Sequence, residues 1–171
     1  MSPEAHGPHG AVPAAVRVAV LTASDTRTAA DDASGRLLAQ GLAGGGHEVI
    51  ATRIVPDGEA DVERGLRELL ALGPDAVVIT GGTGVAARDL VPEVVARVCD
   101  RALPGFGELF RALSYEEIGA AALASRACAG QAGGRLVFAL PGSPAACRLG
   151  LEKLILPELP HLVALARKQS P

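Results

Sequence analysis

Three short, largely apolar runs punctuate the chain: VRVAVL (16–21), DAVVIT (75–80) and LVFAL (136–140). Such runs, apolar without alternation, predict strands buried on both faces of a parallel sheet. EVIATRIV (48–55) reads as a further strand. Between the strands, apolar positions recur at helical spacing. Leu37, Leu38 and Leu42 do so before the stop at Gly44 to Gly46, and Val62, Leu66, Leu69 and Leu70 share one face before Gly73-Pro74. Strands that alternate with helices predict an α/β domain of three layers, α/β/α, with a mostly parallel sheet and helices on both faces.

The stretch from 81 to 134 reads as mostly helical. Pro92 suits a first helical turn with Val94, Val95 and Val98 on the buried side, and further helices are expected over 107–113 and 115–129. Ser143-Pro144 reads as N-cap and first residue of a helix that lines up Cys147, Leu151 and Ile155, and Pro160 as the start of a final helix. No repeat or linker interrupts 16–167, so residues 16–171 are expected to form a single domain. Residues 1–15 (MSPEAHGPHGAVPAA) read as a disordered tail, because Pro, Gly and His without apolar periodicity cannot offset the entropy of ordering.

Composition narrows the function. With 49% hydrophobic but only 2% aromatic residues, the core must be packed from Ala, Val, Leu and Ile, and few aromatic rings are left for stacking on single-stranded nucleic acid. A net charge of -3 implies no general affinity for a phosphate backbone, so no nucleic-acid partner is expected. Three cysteines without a CxxC pair fit buried thiols in a reducing compartment. Neither a signal-peptide pattern nor a membrane-spanning run is present, and the expected location is cytoplasmic, with no membrane partner.

The candidate chemistry lies in the loops that follow the strands: TASD (22–25), PDG (56–58), GGTG (81–84) and PGSP (141–144). In a parallel sheet these share one rim, where ligands bind. Glycine amides in GGTG and the helix start after PGSP suit anionic oxygen, and Asp25, Asp57 and Asp89 beside them suit a magnesium-bound nucleotide. Each loop also has a plainer reading, since Ser143 and Asp57 could simply cap helices. GGTG is not followed by Lys, which excludes a P-loop, and no G-x-S-x-G is present for a serine hydrolase.

Together, TASD, D-x-S-G (32–35), IVPD, ITGGTG with Asp89 five residues on, LPGFGELFR, SYEEIG, Ser125-Arg126 and LPGSP resemble the MoaB/Mog family of molybdenum cofactor biosynthesis, with spacing nearest the MoaB branch. The resemblance implies a molybdopterin-binding α/β/α fold. It further implies Mg²⁺-dependent transfer of adenylate from ATP to the terminal phosphate of molybdopterin, with release of pyrophosphate. The two essential carboxylates of the family fall on Asp57 and Asp89, expected to be catalytic and to hold Mg²⁺. MoaB-branch members that lack the first have no clear adenylyltransferase activity, so retention of Asp57 weighs toward catalysis; the alternative is a non-catalytic molybdopterin carrier or scaffold.

In that chemistry Gly81, Gly82, Thr83 and Gly84 would receive phosphate oxygens, Ser24 and Asp25 would contact ligand polar groups, and Pro141, Gly142 and Ser143 would form a second anion-receiving turn. Arg126 is a phosphate candidate, because a guanidinium matches phosphate oxygens two at a time. Glu108 and Arg111 serve either the ligand or each other as an ion pair. The resemblance, with the Ala- and Leu-rich segment 107–129, points to a homotrimer or homohexamer.

Overall fold

The structure, a computed structural model, describes residues 13–168. Most of the expected tail therefore lies outside the described residues. Six strands form one sheet in the order β2-β1-β3-β6-β5-β4: β1 (Arg17–Ala23), β2 (Glu48–Val55), β3 (Ala76–Thr80), β4 (Arg101–Ala102), β5 (Cys128–Ala132) and β6 (Arg135–Leu140). β1 pairs in parallel with β2 and β3, and β3 with β6, whereas β5 runs antiparallel to both β6 and β4.

The uninterrupted apolar runs behave as their period of two requires. In β1, Val18 and Val20 enter one core and Ala19 and Leu21 the other; β3 and β6 divide likewise, Val78 and Phe138 against Ile79 and Ala139. Helices α1 (Ala33–Gly44), α4 (Pro104–Ile118), α5 (Pro144–Gly150) and α6 (Leu156–Arg167) cover the first face through Leu38, Phe110, Cys147 and Leu159. Helices α2 (Glu59–Ala71) and α3 (Val91–Val98) cover the second through Val62, Leu66, Leu69 and Val94. This is the expected three-layer α/β/α arrangement. Leu66 is fully buried, and shortening such a leucine to alanine costs about 2–5 kcal/mol.

Two expectations are corrected. No helix runs over 115–129: α4 ends at Gly119, with φ +62°, a 3₁₀ turn covers Gly119–Ala124, and the chain then extends into β5. Cys-Ala-Gly-Gln-Ala carries no β-branched residue and so reads as helix, yet small side chains are what this strand needs. A Cβ on Gly130 would lie 2.8 Å from Cys99 Sγ. Gly133 and Gly134, with φ +53° and +79°, close the two-residue hairpin into β6. The second correction concerns Pro160, which lies inside α6 rather than starting it. The helical path from Pro144 to Arg167 is continuous through a π turn, Leu151–Ile155, and Pro157 holds the first-turn place in α6.

Candidate functional site

From β1 the chain passes through α1 to β2 at one edge, then returns through α2 to β3 on the other side of β1. The direction of winding thus reverses between β1 and β3, where the loops after the strands part and leave a crevice. TASD, PDG, GGTG and PGSP all leave parallel strands at this one end. They are laced together. Ser24 N donates to Val55 O at 2.9 Å, Asp57 N to Asp25 Oδ1 at 2.9 Å and Gly81 N to Leu140 O at 3.0 Å. Gly81, with φ +100°, is required: a Cβ there would sit 2.3 Å from Ala23 O.

The crevice holds a cavity of about 260 Å³, lined by Ser24, Asp25, Asp57, Gly81 and Gly142 among the expected site residues. Thr22, Asp32, Ser34, Thr80 and two arginines, Arg27 and Arg88, also line it. Asp32 is buried, caps α1 by accepting from Gly35 N at 2.9 Å, and accepts from Thr22 Oγ1 at 2.6 Å. The carboxylate of Asp57 is different. Among the described residues it makes no hydrogen bond or ion pair, and α2 is capped by Gly58 without a side-chain bond, so the helix-cap reading of Asp57 does not hold.

Three buried or half-buried donors fix the PGSP turn. Thr80 Oγ1 donates to Pro141 O at 3.0 Å, Cys147 Sγ donates to the same oxygen at 3.2 Å, and Ser34 Oγ donates to Gly142 O at 2.8 Å. Burial pushes the Cys147 thiol above its usual range, so it stays protonated and able to donate. With both carbonyls held, the turn is fixed where α5 begins. Ser143 caps that helix, accepting from Ala146 N at 3.2 Å.

A second cavity, about 230 Å³, lies on the other side of the same two loops and is lined by Thr83, Gly84, Pro141 and Ser143 together with α4 and the 3₁₀ turn. Thr83 is 2% exposed, and its hydroxyl is buried with no hydrogen-bond partner among the described residues. An unsatisfied buried hydroxyl costs about 1–3 kcal/mol. A ligand polar group in this cavity would remove that cost. Gly82, with φ +63°, turns the loop between the two cavities, packed so that a Cβ would meet Val91 at 2.7 Å.

Asp89, Arg126 and Glu108 line neither cavity. Asp89 Oδ2 accepts from Ala86 N at 2.9 Å and so closes the turn after GGTG. Arg126 holds the same loop from outside: Nε donates to Gly84 O at 2.8 Å, Nη2 donates to Asp89 O, and the guanidinium is ion-paired with Glu93. That hydrogen-bonded pair draws the Glu93 carboxyl below its usual range. Arg126 is thus committed to the protein in this structure. Glu108 is exposed on α4, and Arg111, rather than pairing with it, donates to Ala127 O at 3.0 Å.

Among the described residues no three His, Cys, Asp or Glu side chains gather as a metal site. Magnesium needs fewer, because it is held by one or two carboxylates with substrate phosphates and water completing its shell. The unpaired Asp57 carboxylate, beside Asp25 whose Oδ1 bonds the Asp57 amide, suits a cation that arrives with a phosphorylated ligand. The expected partner Asp89 is not among the residues that line that cavity. Arg88 was not expected as a site residue, although it directly precedes Asp89. Its signal lies in the cavity, which places a guanidinium opposite in sign to Asp57 on the same wall set.

Among the described residues no helix is long and apolar enough to cross a membrane. The family model described as "Probable molybdopterin binding domain" matches residues 19–161. A Bacillus subtilis protein named "Molybdenum cofactor biosynthesis protein B" is 46% identical over 158 residues, 91% of this chain and 93% of the relative. A crystal structure of a molybdenum cofactor biosynthesis protein B superposes with a TM-score of 0.87 at 42% identity, covering 90% of this chain and 97% of that one. The tungsten cofactor synthesizing protein MoaB from Pyrococcus furiosus follows with a TM-score of 0.82 at 39% identity, covering 91% and 99%. With the fold, the four loops on one rim and these relatives in agreement, this chain belongs to the molybdopterin-binding MoaB/Mog family of molybdenum cofactor biosynthesis proteins.

Proposed function

We propose that the protein transfers adenylate from ATP to the terminal phosphate of molybdopterin. A phosphate oxygen of molybdopterin attacks the α-phosphorus of ATP, a new P–O bond forms, the bond from the α-phosphorus to the bridging oxygen breaks, and pyrophosphate leaves. The observation that carries the reading is the unpaired Asp57 carboxylate in a cavity bounded by Gly81 and Gly142, with the unsatisfied Thr83 hydroxyl in a second cavity across the same loops. Two cavities that share GGTG and PGSP suit a reaction in which two phosphorylated ligands meet.

Asp57, with Asp25, would hold Mg²⁺, which when bound neutralises phosphate charge and aligns the attacking and leaving oxygens. The chain's own groups do the rest. Backbone amides of Gly81 to Gly84 and of the PGSP turn receive phosphate oxygens, Ser24 and Thr83 supply hydroxyls, and Asp89 holds the turn that aims GGTG. The assay is pyrophosphate release on mixing protein, molybdopterin and Mg-ATP. Release that needs all three is expected; binding of molybdopterin without release would leave a carrier. Release without molybdopterin would mark a nucleotide hydrolase.

The same reading includes a symmetric homo-oligomer, trimer or hexamer. Leu109, Tyr115, Ile118 and Leu123 are 58%, 64%, 58% and 85% exposed on α4 and the following 3₁₀ turn, an apolar surface that a second copy would cover. Light scattering at micromolar concentration is expected to return a multiple of the chain mass, and a monomer would reject it.

A further inference from the structure

We infer that Arg88 is the guanidinium that receives the phosphate of the incoming ligand, a role that rests on the phosphoryl-transfer reading above. Four arginines stand near the crevice and its approach, and three are engaged. Arg126 bonds Gly84 O, Asp89 O and Glu93, Arg36 donates to the carbonyls of Ala29 and Ala30, and Arg27, which lines the same cavity as Arg88, donates to Asp31 O at 3.2 Å. Arg88 is exposed, lines the 260 Å³ cavity, and makes no hydrogen bond or ion pair among the described residues.

The backbone beneath Arg88 is held on both sides. Ala86 N donates to Asp89 Oδ2 and Asp89 N to Ala86 O, each at 2.9 Å, and Arg126 grips Gly84 O and Asp89 O. A free side chain thus stands on a fixed turn. Arg88 shares its cavity with Asp57, whose carboxylate is equally unpaired among the described residues, and the two are not joined in an ion pair. A cavity with a carboxylate and a guanidinium held apart complements a ligand that brings a divalent cation and a phosphate together, the cation toward Asp57 and the phosphate oxygens toward Arg88. The planar fork of a guanidinium takes two such oxygens at once, which a lysine ammonium cannot do.

The phosphate belongs either to ATP or to molybdopterin, and separate titrations tell them apart. Calorimetric titration of wild type, Arg88→Ala and Arg88→Lys with Mg-ATP alone and with molybdopterin alone is expected to show one ligand weakened roughly ten- to hundredfold by Arg88→Ala. Arg88→Lys should recover only part of that loss. Thermal melts should be unchanged, because Arg88 has no partner among the described residues to lose. If Arg88→Ala binds both ligands as wild type does, with an unchanged KM in the pyrophosphate assay, the inference is overturned while adenylyl transfer stands. If binding depends on Arg88 but the wild type releases no pyrophosphate, Arg88 keeps its role and the adenylyl-transfer reading falls instead.

Discussion

Asp57 and Asp89 are the same residue type, each a short way beyond a parallel strand, yet the protein treats them differently. Asp57 lines the 260 Å³ cavity and its carboxylate bonds nothing among the described residues, whereas Asp89, whose Oδ2 accepts from Ala86 N in a turn gripped by Arg126, lines neither cavity. A charge without protein partners is available to a ligand or a metal. One that closes a turn is already at work holding the loop. In the proposed reaction Asp57 would therefore serve the chemistry, and Asp89 first the shape of the GGTG loop.

Asp57→Asn breaks the comparison most directly. It removes charge with little change in volume and loses no contact, so pyrophosphate release should fall by roughly 10² or more while the melting temperature holds. An unchanged rate would sink the metal-holding role of Asp57. Two variants then sharpen the part played by Asp89. Asn at 89 keeps an acceptor for Ala86 N, while Ala leaves that amide unpaired, so Asp89→Ala should cost about 1 kcal/mol in a melt and slow the reaction more than Asp89→Asn does. Equal losses from Asp57→Asn and Asp89→Asn, with both proteins folded, would instead put both carboxylates on the metal.

Thr83→Val separates the two cavities. Replacing a buried, unsatisfied hydroxyl by a methyl of similar shape should raise the stability of the free protein by about 1 kcal/mol and weaken molybdopterin or ATP by a similar amount. A variant more stable but binding as before would show that no ligand reaches Thr83. The smallest effect is expected far from the site. His47 is buried, and its Nδ1 accepts from Val16 N at 3.3 Å. Burial holds its pKa below the ordinary 6.5, so the folded protein favours the neutral ring. Stability is then complete above 6.5 and falls as pH drops from there toward the lower folded value, because the unfolded chain takes up the proton first. Melts between pH 5 and 7.5 should show that slope in the wild type and a shallower one in His47→Gln.

What could be read from the sequence was what neighbouring residues decide among themselves. The unbroken runs of β1, β3 and β6 must be buried on both faces, the spacing of Val62, Leu66 and Leu69 makes one helical stripe, and parallel strands carry their following loops to one rim. The family could also be read there, because TASD, GGTG and PGSP are local strings. Tertiary structure decided whatever depends on a distant partner. β5 is a strand because β4 and β6 flank it and Cys99 presses on Gly130, although Cys-Ala-Gly-Gln-Ala has no strand propensity of its own. Arg126 and Arg88 are both arginines beside polar loops, and only the packing of α3 against β5, which brings Glu93 to Arg126, engages one and leaves the other open. Side-chain identity is local, but whether a charge is available depends on what the fold places within a few ångströms of it.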